Sequence, residues 1–589
     1  MGLKGFYSFS TRHINDCHKM TNMKEEIEKY INYHFEVKTE DMLCGYQLNK
    51  IKFDFDAFLK QLQDAGAHLE FVFKKVVADD KEFLSRRLMD YKQGCDIVKA
   101  VEEVGSFELL EKLFRNRNKT PFNTMILIAI IQSAKKFGNV HGFNNIYGKP
   151  AVQQIELAKK LDASWIIGLD TFYFLMPGKW KIWNDMKLNM KDLLVQEIDP
   201  NVILTQLDLD PKHGPLFACL LGEFQSTSNY QKKVQEHFGL KHKFENAANF
   251  IKSLEIEAST DLIKRVIDNI FKGKANERIH QDFERSLATF EINFDVGKRV
   301  DEEILQLVKN DFVSIAEEIF LNQPIFISPT FFDMRKEDMK TINDLVVPLI
   351  TRTASVLLRK IDDKEERTII ILESHDGNFK TIPIVPVVPP FPVPSLETLL
   401  KGEIHAIDKT QILFWVTDLN IEEFAFVIIP QDYAADCVIL LYLMKHQCIN
   451  TLDARCILKT IIDTRRHVIP LEGYTEYPET ICERAFRCCF LYSKMYFYVQ
   501  SCLTSLGMKN MCFDIEFDGA YFQKIYALNI LAKEDAEKEN QMSNTKQEDS
   551  KDESDEVTVE NVEESQMEAD PFNPIKIIDE FISLIRASV

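Results

Sequence analysis

Apolar positions in the first third of the chain recur at two spacings. In residues 55–65 (FDAFLKQLQDA), Phe55, Phe58, Leu59 and Leu62 fall on one face at three- and four-residue intervals. That spacing predicts an amphipathic helix, ended by Gly66. Residues 69–73 (LEFVF) read as a short buried strand. Helices are predicted over 23–33, 81–114, 124–135 and 151–161, and a second strand over 165–169 (WIIGL). Helices alternating with short apolar strands predict an α/β domain, a parallel sheet flanked by helices.

From about residue 216 to about 318 the pattern is continuously helical. Beyond residue 324, strands are predicted at 367–372 and 412–417. Between them, residues 383–394 (PIVPVVPPFPVP) hold six prolines. Proline fixes φ and removes an N–H, so this segment is polyproline-II-like and not a central strand. It is either a stiff connection between domains or a ligand for an SH3- or WW-type module. Residues 436–530 read as largely helical. Their most apolar run, 437–444 (CVILLYLM), is far short of the ~20 residues a spanning helix needs and is read as core.

Length and charge refine this picture. At the usual ~100–200 residues per domain, 589 residues call for two or three domains. Residues 533–570 hold 15 Asp and Glu against 4 Lys, more than half of the net charge of −20. Such a stretch cannot bury enough apolar surface to fold and is expected to be disordered. A helical stripe returns at Ile575, Ile578, Phe581, Ile582 and Ile585, expected to dock on the body or on a partner. The expected organisation is a domain at 1–270 and a mainly helical domain with some β at 271–532. An acidic linker at 533–570 and a terminal amphipathic helix at 571–589 follow.

A mildly acidic body is a poor default for strong nucleic-acid binding, which needs Lys and Arg to release counterions. Protein partners are therefore expected, RNA or DNA only weakly, and no membrane. The twelve cysteines include no CxxC pair, which argues against a zinc ribbon. The N-terminus lacks the apolar region of a secretory signal, so an intracellular, cytoplasmic or nuclear, location is expected. Phe6 stands where a myristoylation motif needs Ser or Thr. His13 and His18 flank Cys17 without a fourth ligand nearby. His375 and Asp376 precede Gly377 in a turn-like setting, and Cys482, Cys488, Cys489 and Cys502 punctuate apolar helix.

Four segments in order carry a family resemblance. The chain opens MGLKGFYSF. CGYQL at 44–48 is followed by FDFDAF at 53–58 and then LEFVF. IELAKKLDASWIIGLDTFYF spans 155–174, and PLFACLLGEF spans 215–224. Together they resemble the asteroid branch of the flap-endonuclease (XPG/FEN, PIN-like) superfamily over roughly residues 1–270. The resemblance implies a sheet whose strand ends carry acids for two divalent ions that clamp a phosphodiester. Hard cations need several carboxylate oxygens. Here the motif positions depart. The Asp-Gly expected after LEFVF is Lys74-Lys75, which puts a cation where a metal would sit. The internal glutamates fall at Gln153 and Gln154. Asp170 remains of an Asp-x-Asp pair, with Phe172 as its partner, and Phe224 replaces a later aspartate.

The acids left at or beside these positions are Glu40, Asp41, Asp170 and Glu223. They are read as vestigial, with no catalytic residue, no metal and no cofactor. Asp170 is read first as a strand-end or helix-cap carboxylate. Two dense basic patches occur in the first half, at 112–119 and 232–243. The second carries Lys232, Lys233, Lys241 and Lys243, candidates for phosphate binding unless they are simply a solvated face. The expected function is a catalytically inactive interaction scaffold. The alternatives are an RNA-binding module without catalysis and a weak structure-specific nuclease, and only the latter calls for Mg²⁺.

Overall fold

The computed structural model describes residues 18–22, 39–75, 81–115, 124–143, 150–168, 170, 172–176, 178–189, 194–221, 236–239, 242–254, 262–272, 277–288, 290, 301–309, 311–328, 340–359, 366–372, 378–420, 429–512, 514–531 and 581. The helix expected at 23–33 lies outside these residues, as do the acidic linker, Glu223 and the His375–Asp376 turn.

The stripe read from the sequence is buried where expected. Helix α1 (Thr39–Leu43) leads into α2 (Leu48–Asp64), which buries Leu48, Ile51, Phe55, Phe58, Leu59 and Leu62. Helix α2 stops at Gly66, whose φ of 93° suits glycine. Strand β1 (His18–Asn22) precedes these helices, and β2 (Leu69–Lys74) follows them. The long polar helix is two: α3 (Lys81–Val104) and α4 (Phe107–Arg115), broken at Gly105 with φ 64°. Helix α5 (Thr124–Phe137) packs on α2 and feeds β3 (Gly138–Phe143), which pairs in parallel with β2. A Cβ at Gly138 would lie 2.0 Å from the Leu69 carbonyl oxygen, so only glycine fits this strand start.

A second group follows. It comprises α6 (Pro150–Lys160), β4 (Trp165–Ile167), β5 (Lys181–Asn189), β6 (Leu194–Ile198), α7 (Pro200–Gln206) and α8 (Gly214–Leu221). Helices α9 (Lys243–Ser253), α10 (Leu262–Phe271) and α11 (Glu277–Ala288) complete it. Its sheet runs β1-β6-β5-β4, and only the β4–β5 pair is parallel.

The rest is mainly helical. It contains α12 (Glu302–Val308), α13 (Ala316–Phe320), β7 (Ile325–Phe326), α14 (Ile342–Leu358), β8 (Arg367–Leu372), β9 (Phe379–Ile384) and α15 (Leu396–Leu400). Then come α16 (Ala406–Thr417), α17 (Gln431–Lys445), α18 (Thr451–Arg465), α19 (Glu483–Ser505) and a last helix over 519–531. Helix α19 is buried on nearly all sides, packed against α3, α5, α14, α17 and α18.

Three expectations change. The strand expected at 412–417 is the second half of α16, with Ile412, Leu413, Phe414 and Val416 buried. A short apolar run fits either element, and the helix-compatible residues before it decided the outcome. The two early strands do not share a sheet among the described residues: β2 pairs with β3, while β4 joins a mostly antiparallel sheet. The chain is thus mixed α/β with much helix and small sheets. The packing also does not divide at residue 270. One core joins residues 42–140, with Ile167, Trp183 and Val195, to residues 305–526, and a second gathers the other buried apolar residues of 151–290. Among the described residues, no helix is long and apolar enough to cross a membrane.

Candidate functional site

Lys74 ends β2 and is exposed, whereas Lys75 turns inward and is only 3% exposed. The Lys75 N–H donates to the Phe143 carbonyl at 2.8 Å, extending the pairing with β3. Its ammonium lies 3.0 Å from Glu317 Oε2 and 3.0 Å from Glu318 Oε1, both on α13. Glu317 is fully buried and Glu318 nearly so. Burial alone would lower the Lys75 pKa, but Glu318 and Glu317 outweigh it and hold the ammonium above its ordinary value. Burial, with Glu317 beside it, raises the Glu318 carboxyl although Lys75 opposes this.

Helix α13 is pinned for this role. Ser505, at the end of α19, accepts the Ile315 N–H at 2.8 Å, and Ser314 Oγ accepts the Ala316 N–H at 3.1 Å. Two consecutive glutamates inside SIAEEIFL, a run otherwise apolar, were the signal for a buried charge pair. The motif comparison with flap endonucleases could not point to them, because they lie outside its range.

Asp41 is buried and engaged elsewhere. Tyr477 OH donates to it at 3.0 Å, and Lys50 Nζ stands 3.4 Å away. Glu40 precedes it, half-buried, in the first turn of α1. Asp170 closes a turn: its Oδ1 accepts the Phe172 N–H at 3.0 Å. Phe172 is buried against Phe290, with ring centroids 4.9 Å apart. Gln154, where the resemblance puts a glutamate, accepts the Tyr173 hydroxyl at 2.6 Å. Gln153 is buried beside it on α6. Neutral amide and phenyl groups therefore occupy positions to which the resemblance assigns carboxylates.

Two divalent ions need converging oxygen ligands. Among the described residues no three His, Cys, Asp or Glu side chains converge in a way that could hold a metal ion. Of the described candidate acids, Asp41 is engaged by Tyr477 and Lys50, and Asp170 caps its own turn. Of the basic candidates, Lys243 is half-buried at the start of α9, its Nζ 4.5 Å from the Phe244 ring centroid. Lys232, Lys233 and Lys241 lie outside the described residues. A groove of about 650 Å³ opens between α7, the 208–213 segment that precedes α8, and α9, lined by Asn201, Thr205, His213 and Lys252. Its charges are matched locally: Lys252 pairs with Asp208 at 2.9 Å and Lys212 with Asp210 at 3.0 Å.

No family model matches the chain, and no curated protein matches it. Among solved structures, it is similar to the catalytic core of Rad2 (complex I), with a TM-score of 0.23 and 18% identity, over 51% of this chain and 89% of that one. The catalytic core of Rad2 in complex with DNA substrate (complex II) aligns with a TM-score of 0.26 and 16% identity, over 51% and 89% of the two chains. A third complex of that core gives a TM-score of 0.26 and 16% identity, over 50% and 89%. At scores and identities this low, no site, substrate or activity is carried across from these structures.

Proposed function

We propose that this chain is a non-cleaving protein of the asteroid type, its N-terminal part derived from a PIN-like parallel sheet, and that it serves as an interaction scaffold. The observation that carries the reading is the Lys74-Lys75 pair. The Asp-Gly that the resemblance expects after LEFVF is replaced by Lys74, exposed at the aspartate's position, and by Lys75, which at the glycine's position buries an ammonium 3.0 Å from each of two buried glutamates. A fixed cation there pairs with the local carboxylates and is part of the core. Gln154, Phe172 and the engaged Asp41 support the same reading, since none offers a free carboxylate to a hard cation.

The test is cleavage of 5′-flap DNA and of structured RNA in Mg²⁺ or Mn²⁺ by the full chain. No metal-dependent product is expected. Robust cleavage abolished by Asp170→Ala would overturn the reading and establish the nuclease alternative. The same preparation resolves the RNA-binding alternative. Salt-sensitive binding to single-stranded RNA, lost on charge reversal at Lys232, Lys233, Lys241 and Lys243, would replace the scaffold reading with a backbone-binding module.

A further inference from the structure

The proline-rich strap carries a regularity that the fold does not consume. Apolar-proline dipeptides recur every three residues: Ile382-Pro383, Val385-Pro386, Val388-Pro389 and Phe391-Pro392. A polyproline-II helix has three residues per turn, so Val385 and Val388 lie along one side; Ile382 belongs to β9, and the chain bends at 390–391 as Phe391 turns toward the body. Residues 385–394 lie outside any helix or strand. Nine of these ten are either proline or the residue before one, so sterics confine them to extended, polyproline-II-like backbone. The exception is Val387, and its N–H is held by Ser355 Oγ of α14 at 2.8 Å.

The strap is anchored on one side and bare on the other. Phe391 meets Trp415 edge-on, with centroids 6.1 Å apart, and Arg359 donates to the Val393 carbonyl at 3.4 Å. Outward, Val385 is 68% exposed and Val388 87% exposed, with Pro386 exposed between them. Val387 is 54% exposed as well, so residues 385–388 leave a contiguous apolar surface in water on an anchored support, which is the profile of a contact surface.

We propose that Val385, Pro386 and Val388 form a preorganised polyproline-II ligand for a partner domain with an aromatic-lined groove of the SH3, WW or EVH1 kind. The chemistry selects this occupant. The strap's prolines have no N–H, so another strand cannot add to it as a ladder. What it offers is apolar surface and outward carbonyl oxygens, which indole N–H and phenol O–H groups on an aromatic groove can meet. The fixed backbone means that little ordering entropy is lost on binding. Pro389 is buried under the strap, so the reader engages the Val385-Pro386 dipeptide with Val388 and does not grip a second proline. The proposal names the kind of partner for the scaffold reading but does not require absent cleavage. A chain that cleaved and also bound such a domain would overturn the scaffold reading alone.

The experiment titrates the full chain with a panel of purified SH3, WW and EVH1 domains, using isothermal calorimetry. At least one class is expected to bind, and a synthetic peptide of residues 380–394 is expected to compete. Val385→Asp with Val388→Asp should weaken binding at least tenfold with the thermal transition unmoved, and Pro386→Ala should weaken it independently. Binding by none of the domains, or equal binding by both altered chains and the wild type, would overturn the proposal.

Discussion

Replacing Lys75 by Met keeps the length of the side chain and removes its charge. The ammonium bridges Glu317 and Glu318 at 3.0 Å each, in a site where Lys75 is 3% exposed and Glu317 is fully buried. Glu318 Oε2 has no hydrogen-bond partner among the described residues even with Lys75 in place. Removing one member of a buried ion cluster typically costs ~3–5 kcal/mol, because the remaining charge stays buried without compensation. Here two like charges would remain, which places Lys75→Met at the upper part of that range. The pH dependence has a definite sign. Without Lys75 the Glu318 carboxyl, which burial already raises in the wild type, loses the cation that opposes this and stays raised above its unfolded value. Stability from raised acids is present at low pH and lost as pH rises through the folded values. The deficit of the variant should therefore be small near pH 4 and widen toward pH 7, the unfolded glutamate value being about 4.3. Urea denaturation followed by circular dichroism across that range measures it. A triple change of Lys75→Met, Glu317→Met and Glu318→Leu should recover most of the loss, to within about 1–2 kcal/mol of wild type. A cost below about 1 kcal/mol for Lys75→Met, or one that does not change with pH, would refute the reasoning.

Other perturbations test separate parts of the structure. Gly45 has φ 94°, and a Cβ there would stand 2.6 Å from Cys489 Cβ, so Gly45→Ala should destabilise by about 2–4 kcal/mol in the same urea assay. Phe581 is fully buried in the main core, so Phe581→Ala should cost about 3–5 kcal/mol. Deleting 571–589 should likewise lower the melting temperature of the isolated chain. Lys494 on α19 is buried, and desolvation, helped by Arg87, brings its pKa down to about 7. A lysine whose folded pKa is depressed opposes folding below its unfolded value of ~10.4, and that opposition fades as pH rises from about 7. Lys494→Met should therefore be more stable than wild type at pH 7, with the gap narrowing by pH 9 in parallel thermal melts.

Local periodicity was enough for much of this chain. The face of α2 from Leu48 to Leu62, the strand LEFVF and the limits of α5 and α6 follow from side-chain spacing along a single element. So does the extended strap, because proline restricts its own backbone and that of its neighbour wherever it stands. The departures at Lys74, Gln154 and Phe172 from a metal-binding pattern were equally visible, since they depend only on which residue occupies a motif position. Tertiary structure decided what those residues do instead. Glu317 lies 242 positions from Lys75, and no spacing rule reaches that far. The partner of β2, the mostly antiparallel sheet that β4 joins and the helical state of 412–417 were likewise set by what packs alongside. The joining of residues 42–140 to 305–526 in one core has the same cause. A repeat along the chain records which side of an element is apolar; it carries no record of the distant surface that covers that side, and in this protein that surface is supplied from the far end of the chain.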